Sequence, residues 1–411
     1  MGLTVMRDQA RAMFDAGIAA ADPYQAVAKA LDARQMLIAG GGGKIFVLAL
    51  GKAAMRMAKA AVERISGGVE VVVITNYENA HTVDHAEVYA AGHPVPDAAG
   101  AAAARHVITK LKALGEQDHV LALISGGGSA LVPAPCKGIT LADKAEVSRL
   151  LLGCGADIGE MNLVRQQLST LKGGGMLRLA APARLRALIL SDVVGDDLRI
   201  VASGPTVGPV GTPEQAADLL KSYGIWDDLP AAVKARLSRP APNLRPVPQA
   251  DNQLIGANSI SVAAMLAAEP KAHVHPVPLI GDVSQAVETI SKSAKGITLF
   301  GGETTVQVKG TGLGGRNQEL ALRLALLAEK QGWQGDWVFL SGGTDGRDGP
   351  CDAAGGLVDN TTLARIRKAG VSPKELLANN DSYHALQSSN DLLMTGATGT
   401  NVADLQVLIR A

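Results

Sequence analysis

A chain of 411 residues is long enough to bury the cores of two or three domains, and its 39 basic residues balance 39 acidic ones. With no net charge and 3% aromatic residues it lacks the basic face or stacking rings that nucleic acid requires, so no nucleic-acid partner is expected. Cys136, Cys154 and Cys351 are odd in number and far apart, which points to reduced thiols rather than a disulfide framework. No run reaches the roughly 18 consecutive apolar residues of a membrane span, and the N-terminus has no apolar signal core, so a soluble, cytoplasmic protein with no membrane partner is expected.

In chain order, an amphipathic helix is predicted over 9–20, and Asp22-Pro23 opens another that runs to about Ile38, an oxygen cap followed by a proline whose missing N–H costs nothing. After a flexible loop at 40–43, residues 45–50 form a fully apolar strand leading into Gly51-Lys52 and a helix from Ala53 to about Ile65. A lysine at a strand tip before a helix points to the edge where open α/β sheets bind ligands, although position alone suits a solvated lysine equally. It is no Walker A loop, because Gly40 to Lys44 precedes its strand. Residues 71–75 are the next strand. His81 and His85 stand four apart, but Thr82-Val83-Asp84 lacks helical character and no third ligand is placed, so zinc is not expected. Gly92 to Asp97 is a rigid turn opening an alanine-rich helix.

Residues 120–124 are an apolar run that empties into Ser125-Gly126-Gly127-Gly128-Ser129. Glycines let backbone N–H groups turn onto a phosphate, and a helix start behind them adds partial positive charge; a plain tight turn explains a lone triplet as well. The device recurs where 297–300 runs into Gly301-Gly302-Glu303-Thr304-Thr305 and where 337–340 runs into Ser341-Gly342-Gly343-Thr344-Asp345, so three glycine-rich strand exits suggest one polyanionic ligand. Leu141 to about Cys154 reads as a helix, 161–167 as a polar segment, and Lys172 before Gly173-Gly174-Gly175 as a phosphate contact or a helix end. A strand over 185–190 ends at Ser191-Asp192, followed by Asp196 and Asp197. Carboxylates at a strand exit suit magnesium or a general base, and Asp196 and Asp197 suit capping as well.

Pro240, Pro242, Pro246 and Pro248 mark the domain boundary, giving domains over 1–240 and 250–411. A helix is expected over 259–268, a strand over 305–309, and a terminal strand over 405–409. Residues 310–315 match G-x-G-x-x-G, but the following strand ends in Ser341 with no acid for a ribose. Arg316, at the start of a helix reaching about Lys330, is better placed to fork onto a carboxylate or phosphate.

Glycine cradles, a strand-tip lysine, an arginine and loop carboxylates are the parts of phosphoryl transfer, which runs on positioning and charge neutralisation. Ser129 lacks the G-x-S-x-G elbow of a serine nucleophile. The chain resembles the class II glycerate kinases, the D-glycerate 2-kinases with a MOFRL domain. The resemblance rests on Leu50 to Ala54, Gly92 to Asp97, Ile124 to Ala130, Leu190 to Asp196, Ser203 to Thr206, Gly301 to Thr305, Gly314 to Glu319, Ser341 to Gly346 and Thr398 to Asn401, and departs at Ala397, where members often carry proline.

The resemblance implies a two-domain α/β protein, the first domain a Rossmann-like αβα sandwich and the second a smaller MOFRL-type domain, with the active site in the interdomain cleft. It implies ATP-dependent phosphorylation of D-glycerate at the 2-hydroxyl with Mg²⁺, and singles out Lys52, Asp192 and Arg316 as catalytic. Ser125, Gly126, Gly127, Gly128, Ser129, Lys172, Gly302, Glu303 and Asn317 are the expected nucleotide contacts, and Asp192, Asp196 and Asp345 the expected metal oxygens. The alternative is a hydroxypyruvate reductase, a name carried by relatives in tartrate-utilisation clusters. A non-catalytic sensor would leave the lysine, arginine and carboxylates superfluous. Whether the protein is a homo-oligomer is left open.

Overall fold

The computed structural model describes residues 2–33, 42–239 and 246–411. Two compact units interleave along the sequence: one holds Pro23–Ser191 and Asp196–Ile255, the other the chain up to Asp22, Asp192–Gly195 and Gly256–Ala411.

The first unit is built on β1 (Ile45–Leu50), β2 (Val69–Asn76), β3 (Ala86–Ala91), β4 (His119–Ile124), β5 (Arg184–Leu190) and β6 (Asp251–Gly256), in the order β3-β2-β1-β4-β5-β6. The pairings of β1 with β2 and β4, of β2 with β3 and of β4 with β5 are parallel. Every residue of β1 and β4 is buried, which is why they read as unbroken apolar runs. β3 is the element the sequence concealed, because Ala-Glu-Val-Tyr-Ala-Ala is a half-buried edge strand. Asp97 caps the helix Ala98–Lys112, its carboxylate accepting from Gly100 N at 2.8 Å.

Beside the sheet, the helices Leu141–Gly153, Ile158–Gln167, Pro213–Ser222 and Ala231–Leu237 share an apolar cluster around Val147, Leu151, Val164, Leu168, Ala216 and Leu220. The first three open with reciprocal caps, Thr140 with Asp143, Asp157 with Glu160 and Thr212 with Gln215. Residues 161–167, expected as a polar segment, are thus the body of a helix.

The second unit has β7 (His273–Val274), β8 (Leu279–Asp282), β9 (Gly296–Thr305), β10 (Trp337–Gly343), β11 (Gly355–Asp359), β12 (Leu392–Leu393) and β13 (Asp404–Arg410). Their order is β12-β11-β10-β13-β9-β7, with β8 also on β9. β13 runs antiparallel to β10 and β9, whereas β7 and β8 run parallel to β9. The helix Leu3–Ala20 lays Met6, Ala10, Met13 and Phe14, a stripe of helical period, onto Leu340, Leu405 and Val407. Leu320, Leu324 and Ala328 of the helix Arg316–Lys330 cluster with Phe300, Phe339 and Leu408.

These units differ from a division at 240–250 at both ends of the chain. The N-terminal helix finds the cover for its stripe in the mixed-sheet unit, and β6 extends the parallel sheet past the proline-rich stretch. Pro240 and Pro242, the loop residues Gly40 and Gly41, and any continuation of the helix Pro23–Ala33 toward Ile38 lie outside the described residues. All three cysteines are free, and among the described residues no helix is long and apolar enough to cross a membrane.

Candidate functional site

In the parallel sheet the strand order reverses between β1 and β4, and there the two strand ends pass into adjoining turns. Ser125 N donates to Leu50 O at 2.9 Å, Lys52 N to Gly126 O at 2.9 Å, and Ala53 N to Ser125 Oγ at 3.1 Å. The Ser125 hydroxyl is buried and fastens the turns together, so it positions the loop from beneath. Gly51, at φ +119°, is required because a Cβ there would lie 2.2 Å from Ser125 Oγ. Gly127, at φ +84°, has Lys52 Cγ and His93 Cδ2 each 3.1 Å from where its Cβ would stand, so the lysine stem and the imidazole flank this turn. Lys52, half-buried, keeps its place at the tip of β1 as the sequence indicated.

Behind the turn, Ser129 Oγ shares a hydrogen bond with Ser203 Oγ (2.8 Å) and accepts from Lys172 Nζ (2.6 Å); Ser203 in turn donates to Asn162 Oδ1 at 2.6 Å. No imidazole is among these partners, so Ser129 has no base to make it a nucleophile. Lys172 Nζ also donates to Ser129 O at 2.8 Å, and burial pushes its ammonium well below the usual lysine range, with Lys144 and Arg165 adding repulsion. Lys144 donates to Pro133 O at 2.6 Å and is pushed down to about 8, chiefly by burial. Burial likewise lowers Arg165. All three cations line one cavity of about 520 Å³, and none of the charges acting on them is a carboxylate.

Sequence reasoning reached Lys172 through its glycines and missed Lys144 and Arg165. The available signal was Lys144 itself: with Val147 and Leu151 it stands at i, i+3, i+7 on the buried face of its helix, a charge on an apolar stripe.

The mixed-sheet unit gathers the opposite charge. Arg316, the first residue of its helix, forks onto Asp404 of β13 (Nε to Oδ2 2.6 Å, Nη2 to Oδ1 2.9 Å) and reaches Glu303 Oε1 of β9 at 3.2 Å. Burial opposes the guanidinium charge, but Asp404, Glu303 and Asp348 overcome it and raise Arg316 above its ordinary value. The Glu303 carboxyl is pushed up by burial and, despite Arg316, by Asp404, Asp192 and Asp345. Several acids thus act on one guanidinium and on one another. Asp348 is buried and accepts from the backbone N of Asn317 (3.1 Å) and Gln318 (2.8 Å); burial pushes it up to about 6. Asn317 has no exposed surface and accepts from Ser341 Oγ at 2.6 Å, so it braces Arg316's helix and offers no open contact to a nucleotide.

Three expectations change. Gly302 is no phosphate cradle: β9 continues through it to Thr305, so no separate strand begins there, and its missing Cβ admits the backbone of Leu279, 2.1 Å away, in the β8–β9 pairing. Gly342 and Gly343 likewise lie inside β10, Gly342 against Leu393 and Phe14. Of the three glycine-rich segments, Gly126–Gly128 alone follows the end of its strand. The expected metal set is divided, Asp192 and Asp345 falling in the mixed-sheet unit and Asp196 in the other. Among the described residues no group of three or more His, Cys, Asp or Glu is arranged to hold a metal. The G-x-G-x-x-G segment is occupied by its own chain: Cβ atoms at Gly310, Gly312 and Gly314 would strike Asn379, Asp381 and Ser382, and Gly312 N donates to Asn379 O.

Residues 9–238 match the family described as domain of unknown function DUF4147, and residues 296–404 match the MOFRL family. A D-glycerate 2-kinase of Thermotoga maritima is 41% identical over 88% of this chain and 89% of its own length. An Agrobacterium vitis protein provisionally named hydroxypyruvate reductase is 39% identical over 98% of this chain and 94% of its own. The crystal structure of a glycerate kinase from Thermotoga maritima superposes with a TM-score of 0.91 at 36% identity, covering 99% of this chain and 100% of that one.

Proposed function

Because the chain belongs to the glycerate kinase family that joins a DUF4147 domain to a MOFRL domain, we propose that it passes the γ-phosphoryl of ATP to the 2-hydroxyl of D-glycerate, giving 2-phosphoglycerate and ADP. The observation that carries this reading is Lys52 beside the Gly126–Gly128 turn at the reversal of the parallel sheet. Backbone N–H groups of such a turn receive phosphate oxygens, and a lysine there neutralises the charge that builds on the phosphoryl in flight.

The mixed-sheet unit supplies the acceptor's share. Asp192 takes the proton of the attacking hydroxyl or ligates the metal, and Arg316, with Nε and Nη2 on Asp404, has Nη1 for the substrate carboxylate. Magnesium suits the chemistry of the residues present: the carboxylates of Asp192 and Asp345, whose charge raises the Glu303 carboxyl, are hard oxygen donors. Such an ion is commonly held by one or two carboxylates together with phosphate oxygens, and when bound it neutralises phosphate charge. Phosphoryl transfer to glycerate is a reaction of intracellular metabolites, and the free thiols accord with the cytoplasm. The reductase reading rests on the provisional name of a relative alone, and the glycine segment that would hold its dinucleotide is filled by residues 379–382.

³¹P NMR of the purified protein with ATP, Mg²⁺ and D-glycerate tests the proposal. A 2-phosphoglycerate resonance that disappears with EDTA is expected. A 3-phosphoglycerate resonance would move the attack, and oxidation of NADH by hydroxypyruvate with no phosphorylated product would overturn the kinase.

A further inference from the structure

Buried cations without an acid to neutralise them are costly, and such groups persist where a ligand supplies the missing charge. Among the described residues, Lys144 and Lys172 have only backbone carbonyls and the Ser129 hydroxyl as hydrogen-bond partners, and Arg165 stands half-buried beside them. The rest of the cavity is chiefly apolar, with Val95, Leu141, Val147 and Leu152 among its walls. His93, Gly127 and Ser129 line it as well, so it opens beside the phosphate turn within the same unit.

We propose that this cavity seats the donor nucleotide, the adenine lying against the apolar walls and the α- and β-phosphates on Lys144, Arg165 and Lys172, with the γ-phosphate delivered to Lys52 and the Gly126–Gly128 turn. The assignment rests on the kinase reading and adds to it the residues that select the donor. The volume lies within the roughly 300–1,000 Å³ of small-molecule sites. Glycerate is too small for it, having one carboxylate and no apolar body to meet three cations and a lipophilic wall. A nucleoside triphosphate has both.

Arg165 is the residue to remove first, because it is half-buried, makes no ion pair with a carboxylate among the described residues, and its loss leaves no partner unpaired. The Arg165→Met variant should weaken ATP about tenfold or more, both in calorimetric Kd and in KM, as loss of a charge-assisted bond does, with the KM for D-glycerate and the melting temperature not worsened. Leu152→Glu is the second variant: Leu152 is 65% exposed, so the change spares the core while setting a negative charge on the cavity wall, and it should weaken ATP in the same way. Unchanged ATP affinity in both variants, in an enzyme that still makes 2-phosphoglycerate, would overturn the cavity assignment alone. If the wild-type protein makes no phosphoglycerate the kinase reading falls, and calorimetry with ATP still decides whether the nucleotide occupies this cavity.

Discussion

The two units store charge in opposite ways. In the parallel-sheet unit Lys144, Arg165 and Lys172 crowd one cavity with no carboxylate acting on them. In the mixed-sheet unit Asp404, Glu303 and Asp348 share Arg316, with Asp192 and Asp345 pressing on Glu303 as well. Burial alone therefore does not separate a structural cation from a ligand-binding one; what separates them is whether the fold supplies the counter-charge. Arg316 carries Asp404 with it, whereas Arg165 waits for an anion.

Substituting the two arginines alike is the strongest way to break this contrast. Arg316→Met leaves Asp404 fully buried without its partner and should cost about 3–5 kcal/mol of unfolding free energy, while Arg165→Met should cost none. Equal losses in denaturant titrations of the two variants would erase the distinction. Next in size, Lys52→Ala should lower kcat about a hundredfold or more while thermal stability holds, because Lys52 acts on developing charge and anchors its turn through backbone atoms. Near-normal turnover would take Lys52 out of the reaction.

Much of this contrast was legible in the sequence, and its limits are physical. β1 and β4 announced themselves because both faces are covered, and Lys52 and Arg316 because each follows a strand or glycine run into a helix. The glycines misled. Gly-Gly reads alike whether it opens onto a ligand, as at Gly126–Gly128, or lets two backbones touch, as at Gly302, and only tertiary neighbours decide between these. A methyl group sharpens the point: Gly302→Ala must displace Leu279 from β9 and should cost about 1–3 kcal/mol, whereas an open cradle glycine would lose binding and keep its stability. Wild-type stability for Gly302→Ala would return that segment to the list of phosphate loops. The cavity cations were hidden for another reason. Lys144 and Arg165 lie on helices whose apolar faces meet only in three dimensions, and no linear motif joins them.

The smallest expected effect concerns the protonation of that cavity. Lys144 titrates near 8 in the folded chain against 10.5 for an ordinary lysine, burial being the main cause, Arg165 adding to it and the Cys136 thiol opposing it; Lys172, His93 and Arg149 also line the cavity. Below about 8 the fold holds a charged amine at a cost, and between about 8 and 10.5 the unfolded chain binds more protons than the folded one, so stability rises with pH across that interval. A bound polyphosphate works the other way, since it favours the ammonium, and ATP affinity should fall as pH rises past about 8. Opposite slopes for unfolding free energy and ATP affinity, both flattened in Lys144→Met, would locate the missing counter-charge on the ligand. Parallel slopes would mean that the amine senses only the fold, and the contrast between the units would reduce to packing.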